Sequence, residues 1–301
     1  MIMILRRMKR NWETMLELRK PMSSEETAAA ENIEHVVVPL GPYRNLTTQI
    51  AAIFALHPNA IVLNHAGDRI LRRRSLNWIR NPEPQTSDRF IRAAVRLCQG
   101  GARGGYGGSI LLSHGFDDVE VRRAYQRRFQ DKIIKNSVSV LYWKASMRVT
   151  NDLISCQSIH DVLTCLPNIL FLVPVRNPID CAKSNIATGH WKHITDEPQL
   201  GKVLDRIIEL YSWIWSVRVD YKNRFLFLWE HETAVANLHS LARFANLSHD
   251  PVWISDVTAT LGVRMRQRTS EELEEFERCV LRRTNQGSEL QRQLLQFVAH
   301  Q

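Results

Sequence analysis

The chain has 301 residues, 44% of them hydrophobic, with 40 Lys and Arg against 31 Asp and Glu and a formal net charge of +9. That length and apolar content place it with soluble globular proteins able to bury a sizeable core, and the positive balance favours anionic partners. The five cysteines are odd in number and contain no C-x-x-C pair, which argues against a disulfide framework or zinc site. No run of about 18 apolar residues suggests a membrane span, so a cytoplasmic, reducing location is expected.

Residues 1–35 are charged and irregular and read as a loosely docked lead-in, within which residues 10–19 can form a short helix. Residues 36–301 read as a single α/β domain with a helical C-terminal part. The apolar run Val36-Val37-Val38-Pro39-Leu40 predicts a core strand, followed by a loop over 41–48 and a helix over 49–56 that Pro58 stops. A second strand is expected over 60–63 and a helix over 87–98. The glycine-rich stretch 100–108 precedes an expected strand over 109–112, so it is not a dinucleotide fingerprint, which opens a helix. Helices over 119–134 and 149–165 flank a strand over 138–143. Strands over 171–175 and 225–230 bracket a loop over 186–200 and a helix over 203–221. Farther on, Thr269-Ser270-Glu271-Glu272 has the form of a capping box. Alternating strands and helices predict a parallel central sheet flanked by helices.

Two stretches suggest chemistry. The strand at 171–175 ends in Arg176-Asn177-Pro178, and Ser184 follows eight residues after the arginine. Pro178 suits a first helical turn, which places Arg176 at a strand's carboxyl end and Ser184 on the next helix. Open α/β sheets bind ligands at that edge, where an arginine and a hydroxyl can grip a phosphate. Upstream, strand, loop and helix over 36–56 have the geometry that aims backbone N–H groups and a helix dipole at an anion. The loop Gly41-Pro42-Tyr43-Arg44-Asn45-Leu46-Thr47-Thr48 compares with G-x-x-x-x-G-K-[ST] at Gly41 and Thr48. It has Leu46 for the second glycine, Thr47 for the lysine, and its positive charge at Arg44. The missing lysine disfavours an ordinary NTPase. Leucine cannot cheaply take φ > 0, so the loop is expected to hold helical dihedrals at Leu46.

At these residues the chain resembles the sulfotransferases that use 3′-phosphoadenosine-5′-phosphosulfate (PAPS). Their 5′ loop, Pro-Arg/Lys-Ser-Gly-Thr-Thr, is similar to residues 43–48. Their 3′-phosphate motif is similar to Arg176, Pro178, Asp180 and Ser184. Weaker echoes are Leu56-His57-Pro58, Trp143-Lys144-Ala145-Ser146, the run 225–230 ending in Glu230, and Leu241 to Leu247. The resemblance implies a P-loop NTPase-like sulfotransferase fold, PAPS as donor and its desulfo form, 3′,5′-bisphosphoadenosine, as product. It implies that Arg44 and the backbone amides of Asn45, Leu46, Thr47 and Thr48 hold the 5′-phosphate and leaving oxygen. Lys144 then reaches the sulfonate, and Arg176 and Ser184 hold the 3′-phosphate. Arg44 and Arg176 are expected to face each other across one crevice at a nucleotide's separation.

His65 and His114 compete for the role of general base, and the sequence favours His65, beside the 5′ loop. His190 and His193 flank Trp191 and Lys192 without further ligand spacing, so no metal site is expected. Two other readings fit the composition: a nucleotide-dependent kinase with a degenerate loop, and a non-enzymatic polyanion- or nucleic-acid-binding protein. Nucleic acid is not obligatory on the sulfotransferase reading. Nothing in the sequence selects the acceptor among glycan, lipid, phenol, peptide and small metabolite, or fixes the oligomeric state.

Overall fold

The computed structural model describes residue 14 and residues 16–102, 107–262 and 267–299. Strands β1 (His35–Pro39), β2 (Ala60–Asn64), β3 (Val140–Lys144), β4 (Ile169–Val175) and β5 (Phe225–Trp229) form one sheet in the order β2-β3-β1-β4-β5. Every neighbouring pair is parallel. All residues of β2, β3 and β4 are buried, as expected when helices cover both faces of a parallel sheet. Alternate side chains feed two apolar layers. Val36, Val38, Trp143 and Phe171 belong to one, and Val37, Tyr142 and Leu172 to the other. Burying each such aliphatic side chain contributes about 1.5–3 kcal/mol, so the two layers fix the sheet more firmly than any loop contact does.

The strand order decides where a ligand can sit. From β1 the chain crosses to β2 on one side, and later crosses back from β3 to β4 on the other. The carboxyl ends of β1 and β4 therefore flank a switch point, where open α/β sheets leave a crevice.

The expected strands near 36, 60, 138, 171 and 225 all form, with ends displaced by a residue or two. The expected strand over 109–112 does not. Ile110–Leu112 is a 3-10 turn, because the Ser109 hydroxyl accepts from the Leu111 N–H at 3.3 Å and closes it. Residues 103–106 of the glycine-rich stretch lie outside the described residues. The helix expected over 119–134 stops at Phe129, where Gln130 takes φ 56°. The one expected over 149–165 is two, Ser146–Cys156 and Ile159–Cys165, separated at Gln157 with φ 51°.

Much of the helix expected over 10–19 lies outside the described residues. The expectation of a loosely docked lead-in gives way from Ser23 onward. A capping box of Ser23 and Glu26 opens the helix Ser24–Glu31, and Glu26 forms a buried ion pair with Arg96 at 2.9 Å. The capping box at Thr269 and Glu272 forms as expected and starts the helix Ser270–Arg283.

Candidate active site

The loop after β1 is shaped by buried polar contacts. Gly41 turns the chain at φ 116°, and its N–H donates to Thr150 Oγ1 at 3.0 Å. A Cβ there would meet Asn45 Nδ2 at 3.1 Å, so the close approach suits glycine. Asn45 is fully buried. Its Nδ2 donates to the Pro174 carbonyl and its Oδ1 accepts from the Arg176 N–H at 2.9 Å. One side-chain amide thus ties the loop after β1 to the carboxyl end of β4. On the other side, the Tyr43 carbonyl accepts from Asn185 Nδ2 at 2.8 Å.

These anchors overturn the dihedral expected at Leu46. Leu46 takes φ 57°, and Arg44 takes φ 65°. A non-glycine residue held there costs about 1–3 kcal/mol, which the fixed backbone on either side must offset. Leu46 is also the N-cap of the helix Thr47–Ala55 and supplies no capping side chain. The first-turn amides lack intrahelical partners and sit at the positive end of the helix dipole.

That turn forms one wall of a cavity of about 610 Å³. Arg44, Leu46, Thr47, Thr48, His65, His114, Lys144 and Arg176 all line it, so residues from the carboxyl ends of four strands and from the turn at His114 converge there. Asn45 lies beneath the cavity as the staple just described. Ser184 joins through Arg44, whose Nε donates to Ser184 Oγ at 2.9 Å. Arg176 Nη1 donates to the Arg44 carbonyl at 3.4 Å. The two arginines therefore form one adjoining cationic surface, closer than the nucleotide's separation expected from sequence. The cause is Asn45, which pulls the loop onto β4.

Lys144, at the end of β3, is 3% exposed, and its Nζ donates to Ser113 Oγ at 3.3 Å and Asn64 Oδ1 at 3.4 Å. Burial and, secondarily, the Arg44 charge bring its ammonium down to about 8. An ammonium has three donors, so one remains for the cavity.

The two histidines differ sharply. His65 is half-buried, and burial, then the charges of Lys144 and His114, push its imidazolium down to about 4. Its backbone sits at φ 59°, with the carbonyl accepting from Trp143 Nε1 at 2.6 Å. His114 is 76% exposed, and its Nδ1 lies 3.1 Å from Asp117 Oδ2. It is carried to the cavity by Gly115, where a Cβ would stand 3.2 Å from Thr48.

Asp180 and Glu230, both in stretches that carry the resemblance, orient local structure around the site. Asp180 pairs with Arg268 at 2.9 Å, both side chains nearly inaccessible, which fixes the helix Pro178–Ala187 that carries Ser184. Glu230 Oε2 accepts from the Asn177 N–H at 2.6 Å. Burial raises the Glu230 carboxyl, against the opposing pull of that N–H and Arg176. Asn177 in turn caps the same helix, its side chain accepting from the Ile179 N–H. Asn177 standing before Pro178 is the signal that could have marked this cap; the partners of Asp180 and Asn45 lie far along the chain.

A second, mainly apolar cleft of about 280 Å³ shares Leu46, Gln49, Leu261 and Gly262 with the first cavity. Glu230 and Asn237 also line it. Among the described residues, Glu230 Oε1 and Asn237 Oδ1 are buried without a hydrogen-bond partner.

The chain matches no family model, and no curated protein matches it. Among solved structures it is similar to the crystal structure of sulfotransferase STF9 from Mycobacterium avium, with a TM-score of 0.41 and 12% identity over 89% of this chain and 76% of that one. Among the described residues, no helix is long and apolar enough to cross a membrane.

Proposed function

We propose that the protein is a sulfotransferase that binds PAPS at the carboxyl ends of β1 and β4 and transfers the sulfuryl group to an acceptor hydroxyl or amine. The observation that carries this reading is the convergence of Arg44, the first-turn amides, Lys144 and Arg176 on one cavity, with Ser184 hydrogen-bonded into it. A phosphosulfate carrying a further phosphate needs several separated anion contacts, and these groups supply them. The amides of Thr47 and Thr48 suit the 5′-phosphate. Arg176 and Ser184 suit the 3′-phosphate. The apolar cleft beside Leu46 suits the base. Glu230 and Asn237 line it, and among the described residues their buried Oε1 and Oδ1 accept no hydrogen bond, though Glu230 Oε1 lies 4.0 Å from Arg176 Nε. Small side-chain shifts would let them meet an amino group such as adenine's.

In the transfer, the acceptor oxygen or nitrogen forms its bond to sulfur as the bond from sulfur to the bridging phosphate oxygen breaks. The protein mainly positions the groups and stabilises charge. Lys144 donates toward the leaving oxygen, whose negative charge grows, and the bisphosphate departs with it. The base role falls to His114. It lines the cavity with Asp117 Oδ2 orienting its ring through Nδ1, whereas burial and the Lys144 charge leave His65 too weakly basic.

The test is transfer from sulfur-labelled PAPS into a mixed acceptor library, read by mass. Label should enter an acceptor, and Lys144→Met should abolish entry. No label in any acceptor with the wild-type protein would overturn the assignment, and transfer that persists unchanged in the variant would remove Lys144 from its role.

A further inference from the structure

The direction of the Arg44 side chain carries an inference that rests on the sulfotransferase reading and refines it. Arg44 belongs to the loop that opens the helix Thr47–Ala55, and by sequence order it would serve the 5′ end of a donor. Its geometry points elsewhere. With φ 65°, the residue turns its side chain toward the helix Pro178–Ala187, and its Nε donates to Ser184 Oγ at 2.9 Å. Its own carbonyl accepts from Arg176 Nη1 at 3.4 Å. Arg44, Arg176 and Ser184 thus form one hydrogen-bonded cluster.

The donor inventory leaves that cluster incomplete. Arg44 is exposed, and among the described residues the rest of its fork of N–H groups has no partner. Arg176 is 15% exposed; its buried Nε faces Glu230 Oε1 at 4.0 Å and its Nη1 the Arg44 carbonyl, and among the described residues its Nη2 has no partner. Ser184 accepts from Arg44, so its own O–H is left to donate. Two guanidinium groups and one hydroxyl held together suit a doubly charged phosphate monoester more closely than a singly charged diester, because each further donor meets a further oxygen.

We infer that Arg44 is a ligand of the 3′-phosphate, acting with Arg176 and Ser184, and that the 5′ end is left to the first-turn amides and Lys144. Arg44 then decides between nucleotides that carry a 3′-phosphate and those that do not. Adenosine monophosphates, diphosphates and triphosphates without it lose this contact and bind weakly.

Calorimetric titration of the full chain with 3′,5′-bisphosphoadenosine and with adenosine 5′-monophosphate tests this. The wild type should prefer the bisphosphate, and Arg44→Ala should weaken bisphosphate binding by about ten- to a hundredfold, as expected for losing a charged hydrogen bond. The same change should leave the monophosphate within about twofold, the size of a neutral surface substitution. Arg44→Gln, which keeps much of the length, should behave like Arg44→Ala, and an unchanged melting temperature without ligand checks that both variants fold. If Arg44→Ala weakens both nucleotides equally, the arginine serves the 5′ end and the inference is wrong while the sulfotransferase reading stands. If the wild type binds neither nucleotide, both fall together.

Discussion

Asn45 and Arg176 share a hydrogen bond of 2.9 Å between a side-chain Oδ1 and a backbone N–H, across the gap between the loop after β1 and the end of β4. The same amide group donates to Pro174. Asn45→Ala should therefore cost about 1–3 kcal/mol, since it leaves buried backbone groups unpaired. It should also cost nucleotide binding, because both anion-binding loops lose their common anchor. Denaturant unfolding and a nucleotide titration on one preparation check this. Intact binding in the variant would mean that the loops hold their positions without the staple.

Lys144 gives the site a pH dependence. Its ammonium is depressed to about 8, and the charged form is the one that stabilises a leaving anion. Below about 8 the charge is present, and it is lost as pH rises through that value, so kcat/KM should fall on the alkaline side. That limb belongs to the free enzyme. Asn64→Asp adds a carboxylate 3.4 Å from Nζ and should move the limb upward. A limb that stays in place would remove Lys144 from that role.

His114 and His65 can be separated kinetically. His114→Gln should lower kcat by about a hundredfold, the lower range for loss of a general base. His65→Gln should have a much smaller effect on kcat, because an imidazole held near 4 is a poor base at neutral pH. The reverse order would restore the choice that the sequence favoured.

Away from the site, Lys135 is 7% exposed and its Nζ donates to the carbonyls of Ala55 at 2.6 Å, His57 at 2.7 Å and Ala60 at 2.7 Å. All three ammonium donors are used, and they close the end of the helix Thr47–Ala55. Lys135→Met should cost on the order of 3 kcal/mol, since three buried carbonyls lose a charged donor. The urea midpoint should drop at constant m. A loss below about 0.5 kcal/mol would show that water replaces the ammonium.

The sheet was legible because its strands are continuous apolar runs of fixed length, and Arg176 was legible because Pro178 marks the helix that follows. The dihedrals of Leu46 were not, since Asn45 sets them through bonds to Pro174 and Arg176, far along the chain. The resemblance implied a 5′ role for Arg44, and no short-range signal showed that its backbone turn sends the side chain to Ser184. The strand expected over 109–112 failed on a local competitor, the Ser109 hydroxyl, which offers the chain a tight turn instead. His65 was favoured for its place beside the 5′ loop, and nothing in the order of residues showed that Asp117 would fold back onto the His114 ring.

The central claim is that a nucleotide bearing both a 5′- and a 3′-phosphate lies between the first-turn amides of the helix Thr47–Ala55 and Arg176. Thermal unfolding with 3′,5′-bisphosphoadenosine measures it most directly. At about 100 times its Kd, the ligand should add about 2.7 kcal/mol of stability, and Arg176→Ala should remove most of that gain. No rise in melting temperature with the bisphosphate, or a rise that Arg176→Ala leaves untouched, would contradict the account.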